Sequence, residues 1–163
     1  MIAEAGLAHG RRLPGIAQVQ NEVAAHGLAP EALHTCYALA ENVFAVTQSL
    51  LRPPREHGVS HPAGPARLLL DRAALDAGHV VPVLPGMPDA VELVSSGRPI
   101  EGCMLRFLPA GDPGGDLGEI LLRSDCLFDG YLGEPALSGE RFVDGWLRTR
   151  DLGFLHDGEL YVL

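Results

Sequence analysis

Two carboxylates stand out by their surroundings. Glu41 closes the run Cys36-Tyr37-Ala38-Leu39-Ala40-Glu41, and Asp151 lies inside Gly145-Trp146-Leu147-Arg148-Thr149-Arg150-Asp151-Leu152-Gly153. A carboxylate can act as acid, as base or as an oxygen ligand of a hard cation, but no spacing around these two singles out one reaction. Taken alone, Glu41 reads as a surface or helix-capping acid, Tyr37 as a core ring and Asp151 as a strand-end acid paired to an arginine. His57 and His61 are four apart, which on a helix would aim both at one ion. They stand in a proline-rich stretch with no third ligand nearby, so a zinc site is not expected. Ser95 and Ser96 lack the Gly-x-Ser-x-Gly elbow of a serine hydrolase. Cys36, Cys103 and Cys126 form no Cys-x-x-Cys pair and read as reduced, mostly buried thiols. All 12 Lys+Arg residues are arginines, so no step can rest on a lysine ammonium of this chain.

The elements that would hold these residues follow from periodicity and turn chemistry. Ile16, Val19, Val23 and Ala24 share one helical face, which predicts a helix over 15–27 with Pro14 near its start and Gly27 at its C-terminal cap. From 32 onward a strand, a tight loop and a short helix or strand are expected. Residues 52–65 hold four prolines and two glycines and must form an exposed connection. Strands are predicted over 68–70 and 80–83 around a helical turn capped by Asp71, with a loop over 85–89. Further strands are predicted over 92–95, 103–108, 119–123, 146–149, 153–156 and 159–163, and these six short strands suggest a small antiparallel barrel or sandwich. Asp157-Gly158 between apolar runs predicts a type I′ hairpin. Ser95-Ser96-Gly97-Arg98-Pro99, Gly118-Glu119-Ile120 and Asp129-Gly130-Tyr131 read as structural, and Trp146 as a packing anchor.

A length of 163 residues gives room for one core. Its net charge of −9 repels phosphate backbones and anionic lipid, which argues against nucleic-acid and membrane partners. No stretch of the sequence reaches membrane-spanning length and its start has no apolar signal core, so a cytoplasmic location is expected. The chain stops at Leu163 directly after a strand, as expected of a piece of something larger.

The order and separation of the four motifs around Tyr37, Ser95, Gly118 and Asp151 resemble the adenylate-forming ligase superfamily, in its acyl-CoA synthetase and fatty-acyl-AMP ligase branch. The resemblance implies an α+β fold: a small remnant α/β layer over 1–51, a proline-rich connection over 52–66, and an antiparallel distorted β-barrel over 67–163. It implies Tyr37, Ala40, Glu41 and Asp151 as nucleotide-binding residues. Tyr37 would lie against adenine, Glu41 would help hold magnesium on the ATP phosphates, and Asp151 would accept from the ribose hydroxyls. Ala38 and Arg150 stand where that family usually has glycine.

By the same resemblance the cofactors are ATP and magnesium, and the partners a carboxylic acid and a thiol acceptor, either coenzyme A or a carrier protein. The family's Ser/Thr/Gly-rich phosphate loop and its lysine-bearing small domain have no counterpart in these residues. No catalytic residue is therefore assigned, and the chain alone is expected not to turn over. Two other readings stay open: a homo-oligomeric binding or scaffold module, and a small-molecule enzyme reusing the acyl pocket.

Overall fold

The computed structural model describes residues 16–28, 32–49, 64–111 and 113–163. His57, His61, Pro14 and most of the proline-rich connection lie outside the described residues. The first helix, α1 (Ile16–Ala25), ends as expected at Gly27, whose φ of 80° lets the last carbonyls close a two-bond cap through Gly27 N to Ala24 O and Leu28 N to Val23 O. Strand β1 (Cys36–Ala38) turns through a 3-10 segment (Ala40–Asn42) into β2 (Ala45–Gln48). Next come β3 (Arg67–Asp71), α2 (Arg72–Asp76), β4 (Ala90–Val94), β5 (Arg98–Pro99) and β6 (Met104–Pro109). The chain continues with β7 (Gly118–Arg123), α3 (Pro135–Arg141), β8 (Phe142–Val143), β9 (Trp146–His156) and β10 (Glu159–Val162). The Asp71 side chain caps α2 by accepting from Ala74 N at 2.8 Å, as read from the sequence.

The expected barrel does not close. Among the described residues the strands form three antiparallel sheets: β1-β2-β5, β10-β9-β7-β6 with β8 added beside β9, and β3-β4. Segment 80–83 is not a strand either. It meets β3 at the single bridge Leu70–Pro82, where Asp71 N donates to Val81 O at 3.0 Å and Val83 N to Leu69 O at 2.9 Å, before the chain turns off with Met87 N donating to Leu84 O. The strands expected over 146–149 and 153–156 are one strand, β9, whose register against β7 shifts between Glu119 and Leu121. The extra residues there are absorbed as a bulge with Arg150 at φ 68°. Asp157 and Gly158, at φ 51° and 77°, turn β9 into β10 as a type I′ hairpin requires.

Among the described residues two apolar clusters hold the sheets. Val46 on β2 packs with Leu122 on β7 and Leu147 on β9, all fully buried, flanked by Tyr37, Leu39, Phe128 and Phe142. Each such side chain contributes about 1.5–3 kcal/mol through burial. The second cluster joins Leu70, Phe154 and Tyr161, whose rings stack at 5.2 Å. Trp146 is buried, with Arg106 lying 4.4 Å above its ring, so it is the packing anchor expected. Ser95 is structural too: its buried hydroxyl donates to Glu159 Oε2 at 2.6 Å and accepts from Gly97 N at 2.8 Å. The cysteines are free as expected but none is buried: Cys36 and Cys103 are half-buried, and Cys126 is exposed because it sits in the turn that leaves β7. Among the described residues no helix is long and apolar enough to cross a membrane.

Candidate functional site

Tyr37 sits at the middle of β1, opposite Thr47 on β2, and its amide donates to the Thr47 hydroxyl at 3.2 Å. The register slips just after it, between Tyr37 and Ala38. Ala38 needs no left-handed backbone there, so alanine fits where the family pattern has glycine. The chain then tightens into the 3-10 turn, closed by Asn42 N to Leu39 O and Val43 N to Ala40 O, both at 3.1 Å. Ala40 opens that turn and is exposed; Glu41 is its second residue.

Glu41 is held from two directions. Its carbonyl accepts from Phe128 N at 2.9 Å, and its Oε1 accepts from the Tyr131 phenol at 2.8 Å. Arg141 Nη2 lies 3.8 Å from the same oxygen. Tyr131 and Arg141 are therefore site residues that the sequence reading missed. Their approach depends on how the segment after β7 folds back, which no local spacing encodes.

Asp151 follows the β9 bulge directly. Its amide donates to the Thr149 hydroxyl at 3.1 Å, and that hydroxyl donates to Ile120 O at 2.8 Å. The Arg150 amide donates to Glu119 Oε1 at 3.2 Å, while Arg148 grips the same carboxylate with Nε and Nη2. Arg150 itself is exposed and, among the described residues, makes no ion pair with Asp151 or any other acid. Glycine at that position suits the left-handed φ, and here arginine adopts it.

Across the site, the Tyr37 phenol donates to Asp151 Oδ2 at 2.5 Å. Burial first, and then this bond to Asp151, push the phenol far above its ordinary range, and the charge of Glu41 adds to the shift. Tyr37 and Asp151 thus meet directly, the charge of Glu41 reaches the same phenol, and the exposed Ala40 is the chain neighbour of Glu41. On the far side of the bulge, the hydrogen bonds from Arg148 hold the Glu119 carboxyl below its ordinary range.

Among the described residues no group of three or more His, Cys, Asp or Glu gathers as a ready metal cage. Magnesium needs less: it is usually held by one or two carboxylates with phosphate and water oxygens completing its octahedron. Glu41, partly exposed and engaged through Oε1, fits that demand as a single ligand. Two open depressions flank the bulge and the 3-10 turn, and neither is lined by Tyr37, Ala40, Glu41 or Asp151. One of about 270 Å³ is lined by Glu119, Arg148, Arg150 and Leu152, and one of about 320 Å³ by Asn42, Val43, Phe44 and Cys103.

No protein-family profile matches the chain. It is 34% identical over 80 residues to the acyl-CoA ligase clz12 of Cochliobolus lunatus, across 47% of this chain and 23% of that one. Its fold matches the fatty acyl-adenylate ligase of L. pneumophila in complex with acyl adenylate and pyrophosphate. The TM-score is 0.70 and the identity 28%, covering 90% of this chain and 26% of that one. A likeness of fold alone, at 24% identity and TM-score 0.72, links it to the adenylation domain of a keto acid-selecting NRPS module, over 91% of this chain and 27% of that one. The chain spans about a quarter of the length of each of these proteins.

Proposed function

The chain belongs to the adenylate-forming superfamily of acyl-CoA synthetases and fatty-acyl-AMP ligases, and we propose that it carries the nucleotide-holding corner of an enzyme that activates a carboxylic acid with ATP. In that reaction a carboxylate oxygen attacks the α-phosphorus, the bond to pyrophosphate breaks, and acyl-AMP forms. A thiol of coenzyme A or of a carrier protein then takes the acyl group and releases AMP.

The observation that carries this reading is the hydrogen bond from Tyr37 to Asp151, with Glu41 near enough for its charge to act on the same phenol. Asp151 is suited to ribose hydroxyls because each carboxylate oxygen accepts more than one donor, and Oδ2 has the Tyr37 phenol on it already. Tyr37 supplies a ring for adenine, and its bond to Asp151 fixes the tilt of both groups. Glu41 would hold magnesium, which when bound neutralises phosphate charge.

Positioning and charge neutralisation make up most of phosphoryl-type catalysis. A chain with no lysine supplies only part of both, so we propose that it does not turn over alone. The test pairs calorimetry of adenosine and AMP with an assay of pyrophosphate release from fatty acids, ATP and magnesium. Expected are binding that Asp151→Asn weakens and no release by the isolated chain. Adenosine binding that ignores Asp151→Asn would overturn the nucleotide corner, and steady release would overturn the inactivity.

A second reading, a scaffold that associates with itself, is favoured by the exposed apolar pair Val43 and Phe44 on the turn beside Glu41. Size-exclusion light scattering separates the two, since a monomer at all concentrations removes the second.

A further inference from the structure

Arg141 ends α3, and its side chain is only 13% exposed. Among the described residues its Nε has no acceptor, and its one ion pair is the long contact from Nη2 to Glu41 Oε1 at 3.8 Å. Among the described residues Glu41 is the one carboxylate within ion-pair reach of this guanidinium, and both it and Glu119 have other donors. Glu41 Oε1 takes the Tyr131 phenol at 2.8 Å, and Glu119, on which Arg141 also exerts its charge, is gripped by Arg148 and the Arg150 amide. A mostly buried guanidinium with an unused N–H calls for an explanation, because such groups are nearly always paired.

We infer that Arg141 is an oxyanion-binding residue of the nucleotide corner, and that its ligand is the polyphosphate of the bound nucleotide. The inference rests on the nucleotide reading of Tyr37, Glu41 and Asp151 and deepens it. Two considerations favour phosphate. The guanidinium fork matches tetrahedral phosphate oxygens in a way a point charge does not. Arg141 lies beside Glu41, the side chain proposed to hold magnesium at the same phosphates. Its loose contact with Glu41 keeps the cation in position while leaving donors to give.

The experiment uses calorimetry on the whole chain with four probes: adenosine, ATP, inorganic tripolyphosphate without magnesium, and butyrate. For Arg141→Gln, affinity for ATP and tripolyphosphate should fall by about tenfold or more, the scale of hydrogen bonds to a charged partner, while adenosine binds as before. Arg141→Lys should fall between the two. Glu41→Gln should move the other way and tighten magnesium-free tripolyphosphate, since it removes the carboxylate that competes for Arg141; a folding defect would not produce a gain.

Equal losses for adenosine and ATP would overturn the inference, as would tripolyphosphate binding that ignores Arg141, or Arg141-dependent binding of butyrate instead. A wild-type chain that binds tripolyphosphate through Arg141 but not adenosine would uphold this inference and remove the adenine and ribose part of the reading. Binding of neither probe overturns both.

Discussion

The Tyr37 phenol donates to Asp151 Oδ2 at 2.5 Å and so joins a strand near the start of the described chain to one near its end, 114 residues later. The bond couples the orientation of a ring to that of a carboxylate. It also ties the state of the phenol proton to the fold, because burial and the adjacent acid both oppose ionisation.

The sign of the resulting pH dependence is fixed. The folded chain holds the Tyr37 proton more tightly than the unfolded chain, whose phenol titrates near its ordinary 10.0. Stability from this group is therefore complete below that value and is lost as pH rises above it. Tyr161 is raised as well, first by burial, and acts in the same direction. Thermal melts between pH 8 and 11 should show stability falling at the alkaline end, with a shallower fall for Tyr37→Phe. Parallel curves for the two proteins would count against the buried, acid-bonded phenol.

On the acid side the relevant group is Glu119. Hydrogen bonds from Arg148 come first in holding its carboxyl below the ordinary 4.5, so its contribution is present above that value and is lost as pH falls through the lower folded one. Glu119→Gln should flatten that part of the acid limb. It should also loosen Asp151, because the Arg150 amide loses the carboxylate that anchors the bulge. Proton NMR of the Tyr37 hydroxyl reads the second effect: its exchange with water should quicken in the variant, and unchanged exchange would separate Glu119 from the site.

Arg150 gives a prediction of opposite sign. A non-glycine residue at φ 68° carries a steric cost of about 1–2 kcal/mol, while glycine loses about 0.5–1 kcal/mol more to unfolded-chain entropy. Arg150→Gly keeps the amide that donates to Glu119 and removes an exposed side chain, so the chain should gain up to about 1 kcal/mol. Urea denaturation measures it, and a loss of stability would mean that the arginine side chain makes a contribution of its own.

What could be read from the sequence was what local chemistry decides. The Asp71 cap, the Gly27 helix end and the Asp157-Gly158 hairpin each follow from one residue type meeting one backbone requirement, and all three are present. Tyr37, Glu41 and Asp151 were legible as a set through motif order, not through any spacing that could predict their contact. Tyr131, Arg141 and Glu119 were not legible as site residues, because their partners are brought to them by strand register and by the return of α3. The split of β9 into two expected strands has the same origin. Its polar middle, Arg148 to Asp151, looks like a break, yet the bulge and the Glu119 contacts carry the ladder through it.

The tightest constraint on the whole arrangement is at Gly97, between β4 and β5. A Cβ there would stand 1.9 Å from Gln48 C and 2.1 Å from Ser49 N, both backbone atoms that cannot rotate aside, and φ is 95°. The close approach lets the Ser96 carbonyl accept from Thr47 at 2.7 Å and brings Leu160 N to Gly97 O at 2.8 Å, so three sheets meet around this residue. Gly97→Ala must push β2 away, disturbing both the Thr47 side chain that supports the Tyr37 amide and the buried Val46. A cost of about 3 kcal/mol or more is expected, at the severe end for a single substitution. Gly133→Ala is the control: its φ of 75° is also left-handed, but a Cβ there meets nothing within 4 Å, so it should cost only about 1–2 kcal/mol. Paired denaturation curves decide the matter, and equal losses for the two variants would mean that backbone conformation, not the contact with β2, sets the cost at Gly97.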